Sequence, residues 1–487
     1  MHNLFILFGV PFLSSLVVMM VSGLSTKSVK YLAFMLSLLP AFMLVFAHSS
    51  WLGSHIQYPW LTPLSIEFHL SVDSLSLIFL YLVAIIIPIA ILAESSTNLS
   101  YPHFFYGLIL LLQGLLIGFF TARDLALFTI FWEAMLLPLY FIIILWGGPQ
   151  RQAAAIKFLL YMLAGSALMV AAVLSLYFNA IVVTGTGTFN MDTLASISAN
   201  VPYSFLLCLI FVLAFAVKTP LFPFHAWLPD AYTQASVTGT ILLAGILSKA
   251  GIYGILRIGM EIFPTAMKEF SPILLGLAIA GVLYGGLAAW MQDDYKKLLA
   301  YSSFSHVNFI LAGLFAMSQT AETGAILQAF NHGITITGLF LVAGWLQERI
   351  GTTYMGYAKG LATYMPYLCW LTMFFVLSSV AVPGFNNFVG EVLILFGLFG
   401  ERPWWAVVLA LTVILSVIYM LRWMQTMYFD EPTPFQMPWI DIKMKEIAIA
   451  LPLMLLIIWI GIYPASILKQ IEPASQKVAT LAQLEEH

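Results

Sequence analysis

Four charged side chains stand where the surrounding sequence offers almost nothing polar. Lys218 ends the apolar run 205–217, and Lys249 sits in the middle of 241–258. Glu133 lies in Phe131-Trp132-Glu133-Ala134-Met135, and Glu391 follows Gly390 inside another hydrophobic stretch. A lysine at the centre of a bilayer helix costs about 2.5–3.5 kcal/mol on insertion scales. These side chains therefore need a reason, and proton transfer is one. Burial lowers the pKa of a lysine and a neighbouring carboxylate raises it, so moving Glu133 relative to Lys218 would load or unload a proton. A fixed structural ion pair is the plainer alternative, although such pairs often cost more than they return. His306 and His332 occupy consecutive apolar segments, with Ser302, Ser303, Ser305, Asn308, Asn331, Thr335 and Thr337 nearby. Histidine titrates near neutrality and serves as a proton shuttle, while hydroxyls and amides also serve as glue between helices. His225 fits either role. The four core charges, Lys218 and Lys249 against Glu133 and Glu391, sum to zero, and a row of titratable groups with no large polar pocket suits protons better than a metabolite.

The elements that position these groups are membrane spans. The chain has 487 residues, of which 61% are hydrophobic and 8% charged, against roughly 25% charged in soluble domains. Mean hydropathy is +0.97. A span needs about 20 mostly apolar residues. By that measure candidates run over 3–22, 30–47, 74–94, 104–121, 124–146, 157–178, 203–218, 236–259, 271–291, 298–317, 322–346, 366–399, 404–428 and 446–463. The chain thus reads as an all-α polytopic membrane protein of about fourteen transmembrane helices. The segment 3–22 has no basic leader or small-residue cleavage site and reads as a retained first span. Beyond Pro464 the polar tail reads as surface-lying. The net charge of −3, with no basic tract, gives no sign of a nucleic-acid partner.

Lysine and arginine set the orientation. Lys27, Lys30, Arg151, Lys157, Lys296, Lys297, Arg349, Lys359, Lys443 and Lys445 fall on one face, read as cytoplasmic or matrix. Arg123, Arg257, Lys268, Arg402, Lys469 and Lys477 fall on the other, with both termini, and Arg422 is assigned to neither. The connectors 48–73 and 179–202 have no lysine or arginine and suit the outer side; the second reads as an ordinary polar loop.

Two spans carry breaks. Pro220 and Pro223 follow Lys218, and Pro383-Gly384-Phe385-Asn386-Asn387 precedes Gly390-Glu391. Proline removes a donor and clashes one turn back. The breaks fall in the seventh and twelfth spans, five apart, and interrupted helices at matching positions of two halves point to an inverted repeat with a midplane site. Proline kinks without function are the alternative. The segments would be 1–103 (helices 1–3), 104–259 (first five-helix repeat), 260–428 (second repeat) and 429–487 (last helix and tail). No phosphate-binding loop or complete dinucleotide fingerprint is present. Cys208 and Cys369 are too few for an iron–sulfur cluster. The energy would come from an ion gradient or a partner.

Lys218-Thr219-Pro220, Pro223-Phe224-His225-Ala226-Trp227-Leu228-Pro229-Asp230-Ala231 and Ala244-Gly245-Ile246-Leu247-Ser248-Lys249 together resemble the antiporter-like proton-translocating subunits. These occur in respiratory complex I, Mrp-type sodium/proton antiporters and membrane-bound hydrogenases. The resemblance covers most of the chain. It implies that Glu133 and Lys218 are the tuning pair, Lys249 the central relay and Glu391 the outer exit, with His306 and His332 between. The glutamate of Gly390-Glu391 is similar to one branch of the family; chain L, chain N and Mrp relatives usually carry lysine there. The lateral helix of chain L has no room in this length. Tyr232 and Ser236 depart from the family, which usually has histidine and proline at those positions.

The resemblance further implies a membrane-arm subunit of NADH–quinone oxidoreductase with no redox site or cofactor of its own. NADH, FMN, iron–sulfur clusters and quinone would lie on partner subunits. Chains L and N and the lipid bilayer would surround it, in a bacterial inner membrane. An Mrp-type antiporter subunit, a small-solute transporter with a polar pocket at the breaks, and a structural scaffold are the competing readings.

Overall fold

The computed structural model describes residues 2–46, 51–95, 99–201, 203–432 and 439–484. Among the described residues, twelve helices are long and apolar enough to cross a membrane. They are α1 (His2–Met20), α2 (Thr26–Phe46), α3 (Ser74–Ala93), α4 (Pro102–Thr121), α5 (Leu125–Trp146), α6 (Arg151–Thr184), α8 (Val237–Met260), α9 (Pro264–Trp290), α10 (Tyr295–Phe315), α11 (Gln319–Ile350), α13 (Pro403–Phe429) and α14 (Met444–Ile462). Two further spans are assembled from shorter pieces. The first, α7, runs over Ser204–Lys218 and resumes at Leu228–Gln234; the second, α12, runs over Pro366–Ser379 and resumes at Asn386–Glu401. The expected spans, including both breaks, are therefore present. The tail forms α15 (Ala465–Leu484), which buries Ile467 and Ile471 against the bundle.

The apolar lengths of α8 and α11 are wholly buried, and α10 nearly so. These three make the centre. The helices around them expose large apolar side chains such as Leu13, Met35, Phe178 and Leu411, as a lipid-facing surface requires.

In hydrocarbon every freed backbone group needs a partner, and both breaks meet this requirement the same way. In the first, the Leu221 amide reaches back to the Ala216 carbonyl, 2.7 Å. The Val217 carbonyl it bypasses accepts from the Trp227 indole, 2.9 Å, and the Pro220 carbonyl accepts from Asn308 on α10, 3.1 Å. In the second, the Val382 amide reaches the Leu377 carbonyl, 3.2 Å, and Asn387 donates to the bypassed Ser378 carbonyl, 3.0 Å. Asn331 of α11 donates to the Asn386 carbonyl, 2.8 Å, and Asn386 donates back to the Asn331 carbonyl, 3.2 Å. The side-chain amides at the breaks are thus committed to main chain.

Neither long connector is a plain loop. Residues 55–71 form an antiparallel hairpin, β1 (His55–Leu61) and β2 (Ile66–Ser71), with Ile56 opposite Leu70 on the buried side. Residues 47–50 of that connector lie outside the description. The second contains a short helix, Met191–Ile197, capped by Asn190. Ser236, where the family usually has proline, caps α8 by accepting from the Gly239 amide. Tyr232, where histidine is usual, is buried with its hydroxyl donating to the Leu243 carbonyl, 3.3 Å. The charges sort to two ends of the bundle. Arg422, left unassigned above, pairs with Asp293 at 2.9 Å beside the start of α10 and so belongs to the same end as Lys296 and Lys297. Arg257 is not a solvent-exposed end charge but fully buried. The side chain of Lys477 lies outside the described residues.

Asp124 fastens the hairpin to α5. One carboxylate oxygen accepts from the Leu127 amide at 3.0 Å and caps the helix, and the other accepts from the Glu67 amide of β2, 3.0 Å. Burial pushes this carboxyl up to about 6, against the pull of those amides. The folded chain then holds the proton more tightly than the unfolded one, so the junction loses stability as pH rises from about 4 to 6. Asp124→Asn should flatten that slope and forfeit one bond, about 1 kcal/mol. Hydrogen exchange of the hairpin amides from pH 4 to 7, corrected for intrinsic rates, measures both.

Candidate functional site

Helix irregularities place Lys218 and Lys249. Around Met135 α5 is interrupted between Leu125–Ala134 and Leu136–Trp146. Beside that step the Trp132 carbonyl accepts from the Lys218 ammonium, 3.1 Å, and the Trp132 ring lies 3.7 Å below it. Glu133 is the next residue. It does not close an ion pair with Lys218, and its Oε1 is buried without a hydrogen-bond partner. The carboxylate nevertheless lies within electrostatic reach of the ammonium. Sequence reasoning brought Glu133 and Lys218 together but missed Trp132, whose carbonyl and ring hold the cation.

Lys249 follows a π-helical turn, Leu243–Leu247. The Ala244 carbonyl within it accepts from both the Ser248 hydroxyl, 3.1 Å, and the Lys249 ammonium, 2.6 Å. Such turns recur at functional positions. The same ammonium lies 2.8 Å from Nδ1 of His332 on α11. Ring centroids of His332 and His306 are 5.9 Å apart, and His306 Nδ1 stands 3.5 Å from Glu391 Oε1 on α12. Gln328 of α11 donates to the same oxygen, 3.3 Å. Lys249, His332, His306 and Glu391 thus form one line across α8, α11, α10 and α12. All four are buried.

The line has a direction. An ammonium can only donate, so a charged Lys249 makes His332 Nδ1 the acceptor and leaves the proton on Nε2. At the other end, His306 donates from Nδ1 when Glu391 is ionised. Nε2 of both rings is buried without a partner. The step between the two rings, 5.9 Å between centroids, is the one gap in the line. Lys218 and Glu133 touch none of these four. His225 stacks between Phe304, at 4.5 Å, and Phe222, at 5.7 Å, outside the line. Among the described residues no group of three His, Cys, Asp or Glu stands close enough to hold a metal ion.

A sequence profile described as NADH:quinone oxidoreductase/Mrp antiporter, TM, matches residues 122–418. Subunit M of NADH-quinone oxidoreductase from Escherichia coli K12 is 38% identical over 424 residues, 85% of this chain and 83% of that protein. The chain belongs to this family. The glutamate at 391 and the similarity to subunit M point to the same branch. The antiporter-like fold extends to a chain of respiratory complex I from Thermus thermophilus with bound NADH, at TM-score 0.88 and 31% identity, covering 98% of this chain and 99% of that one. A chain of the Mrp complex from Dietzia shares the fold at TM-score 0.87 and 22% identity, over 98% and 97%.

Each break packs against a neighbouring helix through a glycine, Gly251 of α8 at the first and Gly390 of α12 itself at the second. A Cβ on Gly251 of α8 would meet Thr219 Oγ1 and stand 2.9 Å from the Phe215 carbonyl oxygen. One on Gly390, beside Glu391, would meet Gln328 Oε1 and stand 3.1 Å from the Gln328 Cα. Gly251→Ala and Gly390→Ala should each destabilise the subunit by about 1–3 kcal/mol. Gly9→Ala, with nothing within 4 Å, should leave stability unchanged or slightly raised. Thermal unfolding followed by tryptophan fluorescence separates the three.

Proposed function

We propose that this chain is a membrane-arm subunit of a NADH–quinone oxidoreductase that moves protons across the membrane. NADH oxidation and quinone reduction on partner subunits drive it, and those subunits carry the FMN and iron–sulfur clusters. The observation behind this reading is the order Lys249, His332, His306, Glu391, close-set but for one step between the two histidine rings. Glu133 and Lys218 act as the tuning pair: Glu133 is close enough to bias Lys218 and free to move, since no hydrogen bond holds its Oε1. As Glu133 approaches, Lys218 keeps its proton; as it withdraws, the proton is released toward Lys249. Moving one charge against 100 mV takes about 2.3 kcal/mol, which the partner reaction supplies.

On this reading 104–259 and 260–428 are the two working halves, 1–103 and 429–487 their supports. The lysine-rich face is cytoplasmic in a bacterial inner membrane, and chains L and N are the neighbours. The solute-transporter reading is weakened, because the side-chain nitrogens of Asn386 and Asn387 donate to the Asn331 and Ser378 carbonyls.

Lys218→Ala and Glu133→Ala should each lower NADH-driven proton pumping and quinone reduction by about tenfold or more. Electron transfer from NADH to an artificial acceptor should be unchanged. Parental pumping by both variants in membrane vesicles removes the site assignment. Pumping that needs sodium and no NADH would instead favour an Mrp-type antiporter.

A further inference from the structure

Along α8, Lys249, Tyr253, Arg257 and Glu261 recur at four-residue intervals and lead from the membrane centre to the outer end. The last three are in contact. Arg257 donates from Nε to the Tyr253 hydroxyl at 3.1 Å and from its terminal nitrogens to Asp73 at 2.7 and 2.8 Å and to Glu261 at 2.7 Å. Arg123 continues the network, 3.5 Å from Glu261 and 2.6 Å from Asp192. Asp192 is 61% exposed, so the network runs from a buried tyrosine to outer solvent.

A fourth carboxyl stands beside it. Glu322, in the first turn of α11, is 6% exposed and its Oε1 has no hydrogen-bond partner. It shares a helix face with Ile326, Ala329 and Gly333. That face lies on α8, since a Cβ on Gly333 would stand 3.0 Å from the Gly245 carbonyl oxygen. The helices are antiparallel. From the Lys249–His332 contact, Glu261 is twelve residues up α8 and Glu322 ten residues back along α11. At 1.5 Å per residue these are rises of about 18 and 15 Å, so the two carboxyls reach nearly one level, and Glu322 is within electrostatic reach of Glu261. Among the described residues, the facing stretch of α12 around Leu393 and Ile394 is apolar, and α15, seated through the Thr323–Ser475 bond, carries Lys469 and Glu472 exposed to solvent.

The cluster sets two guanidiniums against four carboxyls. Arginine does not titrate in proteins, and ion pairs commit Asp73, Asp192 and Glu261 to the two arginines. Glu322 is the carboxyl left to exchange a proton. We propose that Glu322 is the proton-release group of the outer side. It receives a proton leaving the central relay along the α8–α11 seam and releases it to outer water alongside the Glu261–Arg123–Asp192 ion pairs, which stay charged, returning to the carboxylate. The inference rests on the proton-translocating reading above.

Inverted vesicles carrying the intact complex test it, with Glu322→Gln, Glu322→Asp and, in parallel, Lys218→Ala. Glu322→Gln should cut pumping about tenfold or more, while Glu322→Asp keeps at least half of it with an altered dependence on luminal pH, the lumen being the outer side. Parental pumping by an assembled Gln variant overturns the proposal. So does an Asp variant with the parental luminal pH profile if the Gln variant fails to assemble. If Lys218→Ala also pumps normally, the underlying reading has failed; if Lys218→Ala fails to pump and the Glu322 variants match the parent, only this inference has.

Discussion

An ammonium in hydrocarbon must end on an acceptor, and that requirement shapes the helices here. In a regular α-helix each interior carbonyl already accepts one amide and has only its second lone pair to offer. Lys249 finds its acceptor in the π-helical turn before it, where the Ala244 carbonyl takes both a hydroxyl and the ammonium. Lys218 finds its acceptor at the step in α5, in the carbonyl of Trp132. Each cation is therefore held by main chain rather than by a carboxylate. A lysine neutralised by a tight ion pair would be fixed in its charged state. One held by a carbonyl, with a carboxylate nearby but unpaired, can change state at smaller cost.

Much of this was legible in the sequence. Spans declare themselves because apolar length is a local property, and the breaks because proline acts on its own backbone. The buried charges at 133, 218, 249 and 391 stood out against their surroundings. What stayed hidden depends on packing between distant segments. The π-turn at 243–247 has no proline and no composition of its own. The hairpin 55–71 has only a weak alternation, with Pro59 and Pro63 inside it, and is fixed by Asp124 and the Ala122 edge. Arg257 looked like an end charge because its partner, Asp73, lies far away in the chain.

The amides at the breaks show why composition alone misleads about pockets. Asn308, Asn331, Asn386 and Asn387 would read as a binding surface for a solute, yet each donates to a carbonyl at or beside a break. Their cost is that of leaving a helix in an apolar medium. The buried polar atoms left without a partner near the relay and the breaks include Nε2 of His306 and His332, Oε1 of Glu133, Gln328 and Glu322, and Oδ1 of Asn331 and Asn387. Carboxylates and imidazoles of this kind can exchange protons, and open amide oxygens can hold single waters.

The placement of the two helix centres completes the logic. Because α8 and α11 run antiparallel and meet at Lys249 and His332, residues at similar distances from that contact lie at similar depth on both. The polar groups do not continue on both helices toward the outer end. On α8 they do, through Tyr253 and Arg257, while the facing side of α11 offers Ala329 and Ile326 before Glu322. One wall of the seam is thus polar and bonded, the other apolar and small. A continuous polar wall would leak protons back down the gradient, and a fully apolar seam would admit none. On the proton-translocating reading proposed above, a half-polar seam next to the Lys249–Glu391 line would let passage depend on the charge state at its inner end, the condition that separates a pump from a channel.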